Sequence, residues 1–461
     1  MLRPVAISCL AAALALPALA RTRPHYGGVL QVEVSGDPMQ GPGGLARRLI
    51  FDGLTALGAD GTVRPALAIT WQSDDNAHRW EFELRPGVRF QDGSPLTSNA
   101  VVDSLNADCN GNCPWSTVSA VGPAVVFTGV SPIPNLPAML AGNEFPIALT
   151  VGANGQIPPT PIGTGPFQLA SNANGTLTLT ANESCWQGRP FLDSIQIRGH
   201  RAVRDQWLDL SVGRADVVEV PPEMLRAAHQ QQLTVVVSPP VTLLALQISS
   251  DGALSNGPLR ASIAEAVDRG ALFNVIFQKQ GAIAASLLPQ SLTGYAFLFP
   301  AGRDLNKALA LRGGITPPPL ILSYDGDGAV QLAAQRIALN LREAGFNVQV
   351  AAAAGAPNVD LALLTLPLLS ADPAAALETL LRAAGQSIPV VDQTPAGLYL
   401  AEREFLDLHT LVPLLDLPRA YAISGRVRDL TLRADGTPDL AGVSLQDSAP
   451  DSAVDSTGVA P

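Results

Sequence analysis

Apolar and polar positions alternate with period two over 29–34, after the flexible pair Gly27-Gly28, and again over 79–84. In the second run Trp80, Phe82 and Leu84 share one face and Arg79, Glu81 and Glu83 the other, which predicts a half-buried strand with a wet side. Between them, Leu45, Leu49, Ile50 and Leu54 recur at helical spacing and predict a helix within 44–54. Arg85-Pro86-Gly87 and Gln91-Asp92-Gly93-Ser94-Pro95 carry turn chemistry, and Thr97 is an N-cap for a helix to Asn106 that turns Val101, Val102 and Leu105 inward. After a Pro-rich passage over 121–161, strands at 176–180 and 195–198 alternate with helices at 202–212 and 223–229. A strand at 242–248 precedes a helix at about 259–269. A βαβ unit follows: strand 320–323, the turn Gly326-Asp327-Gly328, an amphipathic helix to Ala344 stopped by Gly345, and strand 346–350. The class is α/β with mixed sheets in more than one lobe, and no internal repeat is visible.

Composition bounds the function. The chain has 461 residues, long enough for two or three domains, and a formal charge of −11, which argues against a nucleic-acid partner because phosphate binding needs clustered Lys and Arg. Arg3, the apolar run over 5–16 and the small residues Ala18-Leu19-Ala20 read as a cleaved signal peptide over 1–20, too short to span a bilayer. Cys9 lies inside that run with apolar sequence after it, so it is badly placed for lipid modification. The expectation is an exported, soluble, periplasmic protein. Its last stretch, 441–461, is acidic and rich in Ser, Ala, Pro and Gly and reads as a disordered tail.

Export permits a disulfide, and Cys109 and Cys113 flank the flexible Asn110-Gly111-Asn112. A metal site is the alternative, but the five histidines have no paired spacing; Cys185 reads as a buried thiol. No nucleophile elbow, zinc-protease motif or P-loop is present, so no catalytic residue, cofactor or metal site is expected. Gly163-Thr164-Gly165 continues as Pro166-Phe167 and fails as a phosphate cradle.

A set of ordered motifs carries a family resemblance: Gly27-Gly28-Val29-Leu30; Trp80 through Thr97 with Arg85-Pro86-Gly87-Val88-Arg89-Phe90-Gln91-Asp92-Gly93; Pro161 through Phe167; Asn182 to Trp186; Gly213-Arg214-Ala215-Asp216-Val217; and Pro258-Leu259-Arg260 to Ala266-Val267-Asp268-Arg269. This series resembles bacterial extracellular solute-binding proteins of family five, the peptide- and nickel-type receptors of ABC importers. The motif residues themselves read as scaffold: turn formers, core aromatics and a helix cap.

The resemblance implies a two-lobed periplasmic-binding-protein-like fold (type II, cluster C-like) with mixed sheets and an extra subdomain. One lobe would hold 21–245 plus 415–440, with the subdomain near 55–160, and the other 246–414. It implies capture of an oligopeptide or similar small solute in the cleft by a monomer that docks on an inner-membrane ABC permease, without catalysis. Ser35, Met39, Leu366 and Leu369 are the candidate cleft residues. In the peptide-binding branch an aspartate just before an Asp-Pro pair meets the ligand's ammonium group. Here the aligned position is Leu369, or, with a shift of register, Asp372, which can also cap a helix starting at Pro373. The rivals are a degenerate family member acting in sensing or envelope assembly, and a secreted hydrolase.

Overall fold

The computed structural model describes residues 25–40, 44–58, 61–109, 113–141, 145–152, 156–295, 298–326, 328–355, 359–368, 370, 372–386 and 394–446. The signal-peptide expectation over 1–20, Leu369 and the tail beyond 446 lie outside them.

An eleven-stranded mixed sheet runs through the molecule. Ten strands run in the spatial order Val348–Ala352, Leu320–Tyr324, Leu361–Pro367, Thr234–Ile248, Leu411–Ile423, Val217–Glu219, Val29–Glu33, Ser194–Arg198, Thr176–Ala181 and Phe167–Ala173, and the eleventh, Ala282–Ile283, pairs with Leu411–Ile423 off this path. The two long central strands hold it together. Thr234–Ile248 pairs antiparallel with Leu411–Ile423 from Thr234↔Ile423 to Gln247↔Leu411. At one end Leu411–Ile423 is flanked by Val217–Glu219, and at the other Thr234–Ile248 is flanked by Leu361–Pro367.

Separate cores lie along this sheet. One, around Leu30, Ile195, Phe167 and Leu440, packs the strands beside Val29–Glu33. Two others, around Leu244 with Ile337 and around Leu243 with Leu380, cover opposite faces of the far end. The alternation along Thr234–Ile248 explains this division: Leu243 and Ala245 face one layer, and Leu244, Leu246 and Ile248 the other. A fourth core, around Phe82, Phe90, Phe127 and Trp115, belongs to a separate four-stranded sheet over Ala68–Ser73, Arg79–Leu84, Ala124–Thr128 and Thr117–Val121.

The central ladder is irregular between Val237 and Thr242. Pro239 and Pro240 bring no amide donor, and Pro240 faces Pro418, which brings none either. The Ser238 hydroxyl fills part of the gap, accepting from Arg419 N at 2.9 Å and donating to Pro239 O at 2.6 Å.

The C-terminal expectation is corrected at its near end. Residues 441–446 belong to the fold: Ser444–Leu445 pairs with Val427–Arg428, and Val443 is fully buried in the first core. Two apolar side chains within an otherwise polar stretch suffice to anchor it there, so the folded chain extends past 440.

The motif residues are scaffold. The Gln91 side chain donates to Ile50 O, Gly165 O and Phe167 O and accepts from Gly163 N, stitching the four-stranded sheet to the large one. Asp52 accepts from Thr164 Oγ1 at 2.8 Å and Trp186 Nε1 at 2.9 Å. Asp216 accepts from Gln31 N and Ser424 Oγ and pairs with Arg426, tying the first strand to the C-terminal segment. Thr97 caps the helix Ser98–Cys109 by accepting from Ala100 N.

Candidate functional site

The parallel strands Val29–Glu33 and Val217–Glu219 end side by side, and ligands of open α/β sheets gather outside such carboxyl ends. At these ends Val34–Pro38 and Glu219, together with Arg419 and Tyr421 of the neighbouring long strand and with Thr437 and Pro438, line a pocket of about 300 Å³. It lies directly beside the proline-interrupted crossing.

Its polar walls are ordered from behind. Ser35 donates to Glu219 Oε2 through both its amide, at 2.7 Å, and its hydroxyl. Gln206 accepts from Glu219 N at 2.9 Å and donates to Arg201 O at 2.9 Å, fixing the end of that strand. Asp37 Oδ1 accepts from Met39 N at 2.8 Å, closing an Asx-type turn at the rim. Tyr421 is buried and accepts a hydrogen bond from the Arg419 side chain; burial pushes its phenol upward.

Behind this pocket lies a buried charge cluster. Glu33 Oε1 stands 2.8 Å from Arg198 Nη2, and Asp209 Oδ2 stands 2.8 Å from Arg201 Nη2. The two carboxyls also meet each other. Burial, and then the hydrogen bond with Asp209, push Glu33 up to about 7, while Asp209 is held low against its own burial by Glu33 and Arg201.

A second cavity, of about 220 Å³, lies between Arg48, Asp52 and the segment around Arg433 and Asp435. Its charges are committed to one another: Arg48 pairs with Asp435 and Arg433 with Asp439. It serves the junction of the two sheets.

Of the candidate cleft residues, Ser35 lines the 300 Å³ pocket. Met39 is half-buried and packs against the first core. Leu366 is 4% exposed, pairs with Leu243 and sits in the core with Leu377 and Leu380. The structure does not bring Ser35 and Leu366 together. Asp372 caps the helix Pro373–Ala383, accepting from Ala375 N at 2.9 Å. Sequence reasoning missed Asp37, Glu219, Arg419 and Tyr421; the Asp37-Pro38 turn immediately after the first strand is the one local signal among them.

Cys113 is disulfide-bonded, whereas Cys185 is a free, buried thiol that burial pushes up. The Cys109 side chain lies outside what is described. Among the described residues no group of three or more His, Cys, Asp and Glu could hold a metal ion, and no helix is long and apolar enough to cross a membrane.

The model of bacterial extracellular solute-binding proteins, family 5, matches residues 62–387, and the chain belongs to that family of binding proteins rather than enzymes. Protein XP55 of Streptomyces lividans is 27% identical over 359 residues, covering 68% of this chain and 64% of its own length. The nickel-binding protein NikA of Staphylococcus aureus is 22% identical over 305 residues, covering 63% and 62%. The alignments thus span somewhat under two thirds of these relatives.

Solved structures share the fold. Staphylococcal NikA in complex with Ni(L-His)2 superposes with a TM-score of 0.77 at 17% identity, covering 91% of this chain and all of that one. The oligopeptide-binding protein AppA of Bacillus subtilis, in complex with a nonapeptide, gives 0.77 at 16% identity, covering 92% and 100%.

Proposed function

We propose that this protein is the solute-binding component of an ABC importer, exported to the periplasm, where it takes a peptide-like or other small solute and delivers it to an inner-membrane permease as a monomer. In this reading the lobes are 21–245 with 415–446, and 246–414, and they close by bending where the two long strands cross. The observation that carries it is the position of the pocket: it is built at the ends of two parallel strands, on the flank of the crossing, so a solute there would touch the segment that bends. Family membership supports the binding role, and the Ni(L-His)2 and nonapeptide bound by the structurally similar proteins supply nickel chelates and peptides as ligand classes to try.

Mass spectrometry of small molecules released from natively purified protein, backed by thermal-shift screening with peptides, sugars and nickel-histidine, tests it. A cognate solute raises the melting temperature by mass action, by about 2.7 kcal/mol of stability at a hundredfold excess over Kd. Nothing co-purifying and no shift with any class would overturn the importer role. For the disulfide, we infer that Cys109 is the partner of Cys113; an unchanged thiol titre in denaturant with and without reductant would exclude it.

A further inference from the structure

Three guanidinium groups, those of Arg48, Arg419 and Arg433, gather around Asp435, close enough that Arg419 and Arg433 both repel the charge on Arg48. Two carboxylates answer them. Asp435 pairs with Arg48 and also accepts from Thr437 N and Oγ1, and Asp439 pairs with Arg433 at 3.0 Å. Arg419 makes no ion pair among the described residues. It is the surplus cation of the group, and it lines the pocket.

Arg419 is also held in place. Its backbone amide is tied to Ser238, its head hydrogen-bonds Tyr421, and its stem runs over Gly436, where an added Cβ would lie 3.1 Å from Arg419 Cβ and Cδ. Gly436 has φ +74°, so both the backbone conformation and the space favour glycine there. A preorganised arginine fork in a concave site is suited to bidentate binding of a planar oxyanion. In the lining of the same pocket, Glu219 spends Oε2 on Ser35 and leaves Oε1 without a hydrogen bond among the described residues, an acceptor free for an N–H group.

We propose that Arg419 is the ligand-charge anchor of this pocket and that the solute carries a carboxylate, seated on Arg419 with an N–H donor turned toward Glu219. This rests on the solute-binding reading and sharpens it. Because Arg419 stands in the crossing strand opposite Ser238, neutralising it by a ligand acts on the segment that bends.

The test compares trialanine with its C-terminal amide, together with N-acetylglycine and a carboxylate-free control set of neutral sugars, on wild-type protein, Arg419→Gln and Arg419→Lys, by thermal shift and calorimetry. Far-UV circular dichroism checks that the variants fold. Carboxylates are expected to bind wild type at least tenfold more tightly than the matched amide. Arg419→Gln should lose at least tenfold for the acids and nothing for the amide, and Arg419→Lys, which keeps the charge without the fork, should fall between. Equal binding of acid and amide to wild type, or undiminished acid binding by Arg419→Gln, overturns the inference. So does failure of every carboxylate. If a neutral solute then binds, the importer reading stands and the anchor falls; if nothing binds, both fall.

Discussion

Arg419 N donates to the Ser238 hydroxyl at 2.9 Å, joining the two long strands at the point where prolines interrupt their ladder. Pro240 opposite Pro418 leaves no amide pair to make there, so this single side-chain acceptor replaces a rung. Ser238→Ala removes it and leaves the Arg419 amide without that partner. The expected loss is about 1–2 kcal/mol in urea unfolding, with Ser238→Thr close to wild type. Small-angle scattering of the ligand-free protein should show Ser238→Ala shifted toward a larger radius of gyration.

Asp416 gives the stability a pH dependence of definite sign. It is buried beside Leu243 on the central sheet, and its Oδ1 has no hydrogen-bond partner. Burial, reinforced by the nearby Glu402 carboxyl, pushes it up to about 7. The folded chain therefore holds this proton more tightly than the unfolded chain. Its stabilisation is complete below the ordinary aspartate range and is lost as the pH rises through 7. Asp416→Asn should flatten the fall in stability between about pH 4 and 7 and, above pH 7, exceed wild type by up to about 4 kcal/mol. Glu33, also near 7, leaves a residual slope. Melting temperatures of both proteins across pH 4 to 8 check this; an unchanged slope would sink the assignment.

Gly163 and Gly165 are required by space. A Cβ on Gly163 would fall inside the contact radius of the Ile50 carbonyl, and one on Gly165 would meet Leu49 and Ile50. All of the closest obstacles include backbone, which cannot swing aside. Gly163→Ala should cost about 2–4 kcal/mol, whereas Gly175→Ser, at an open hairpin turn with φ +74°, should cost about 1 kcal/mol from backbone strain alone. Chemical denaturation of the two variants side by side separates crowding from turn strain.

Local pattern carried the fold where one face of an element meets one core. Arg79–Leu84 lies where its alternation places it, and the helix Ala329–Glu343 is stopped by Gly345 at φ +85°. It failed where proline stands inside a strand. Thr234–Ile248 begins eight residues before the predicted start because Pro239-Pro240 reads as a break, and Leu411–Ile423 is hidden by Pro413 and Pro418. The 44–54 helix shrinks to Arg47–Ile50 because Phe51 is extended and Asp52 is drawn into a bridge with Ile147. The family motifs were legible because they fix turns and junctions. The pocket was not, since Ser35, Glu219, Arg419 and Thr437 come from four distant segments and no spacing rule links them. Leu366 follows the same logic in reverse: its residue type fits a lining position, but its strand turns it into the core beside Leu243.

Glu223 reaches across from the segment after Val217–Glu219 to the start of the helix Ala329–Glu343, where its Oε1 accepts from Ala329 N at 3.3 Å. A carboxylate at the N-terminus of a fifteen-residue helix meets both an unpaired amide and the positive end of the helix dipole. Gly328 permits the approach, since a Cβ there would stand 3.2 Å from the same oxygen, and its φ of +57° disfavours any other residue. The contact joins one side of the crossing to the other outside the covalent chain, so losing it should free the two sides to separate. Glu223→Ala is expected to lower stability by about 1 kcal/mol and to enlarge the ligand-free protein in small-angle scattering, while Glu223→Gln keeps an acceptor and should retain most of the compactness. A Glu223→Ala protein as compact as wild type in the absence of ligand would show that the contact does not restrain the two sides.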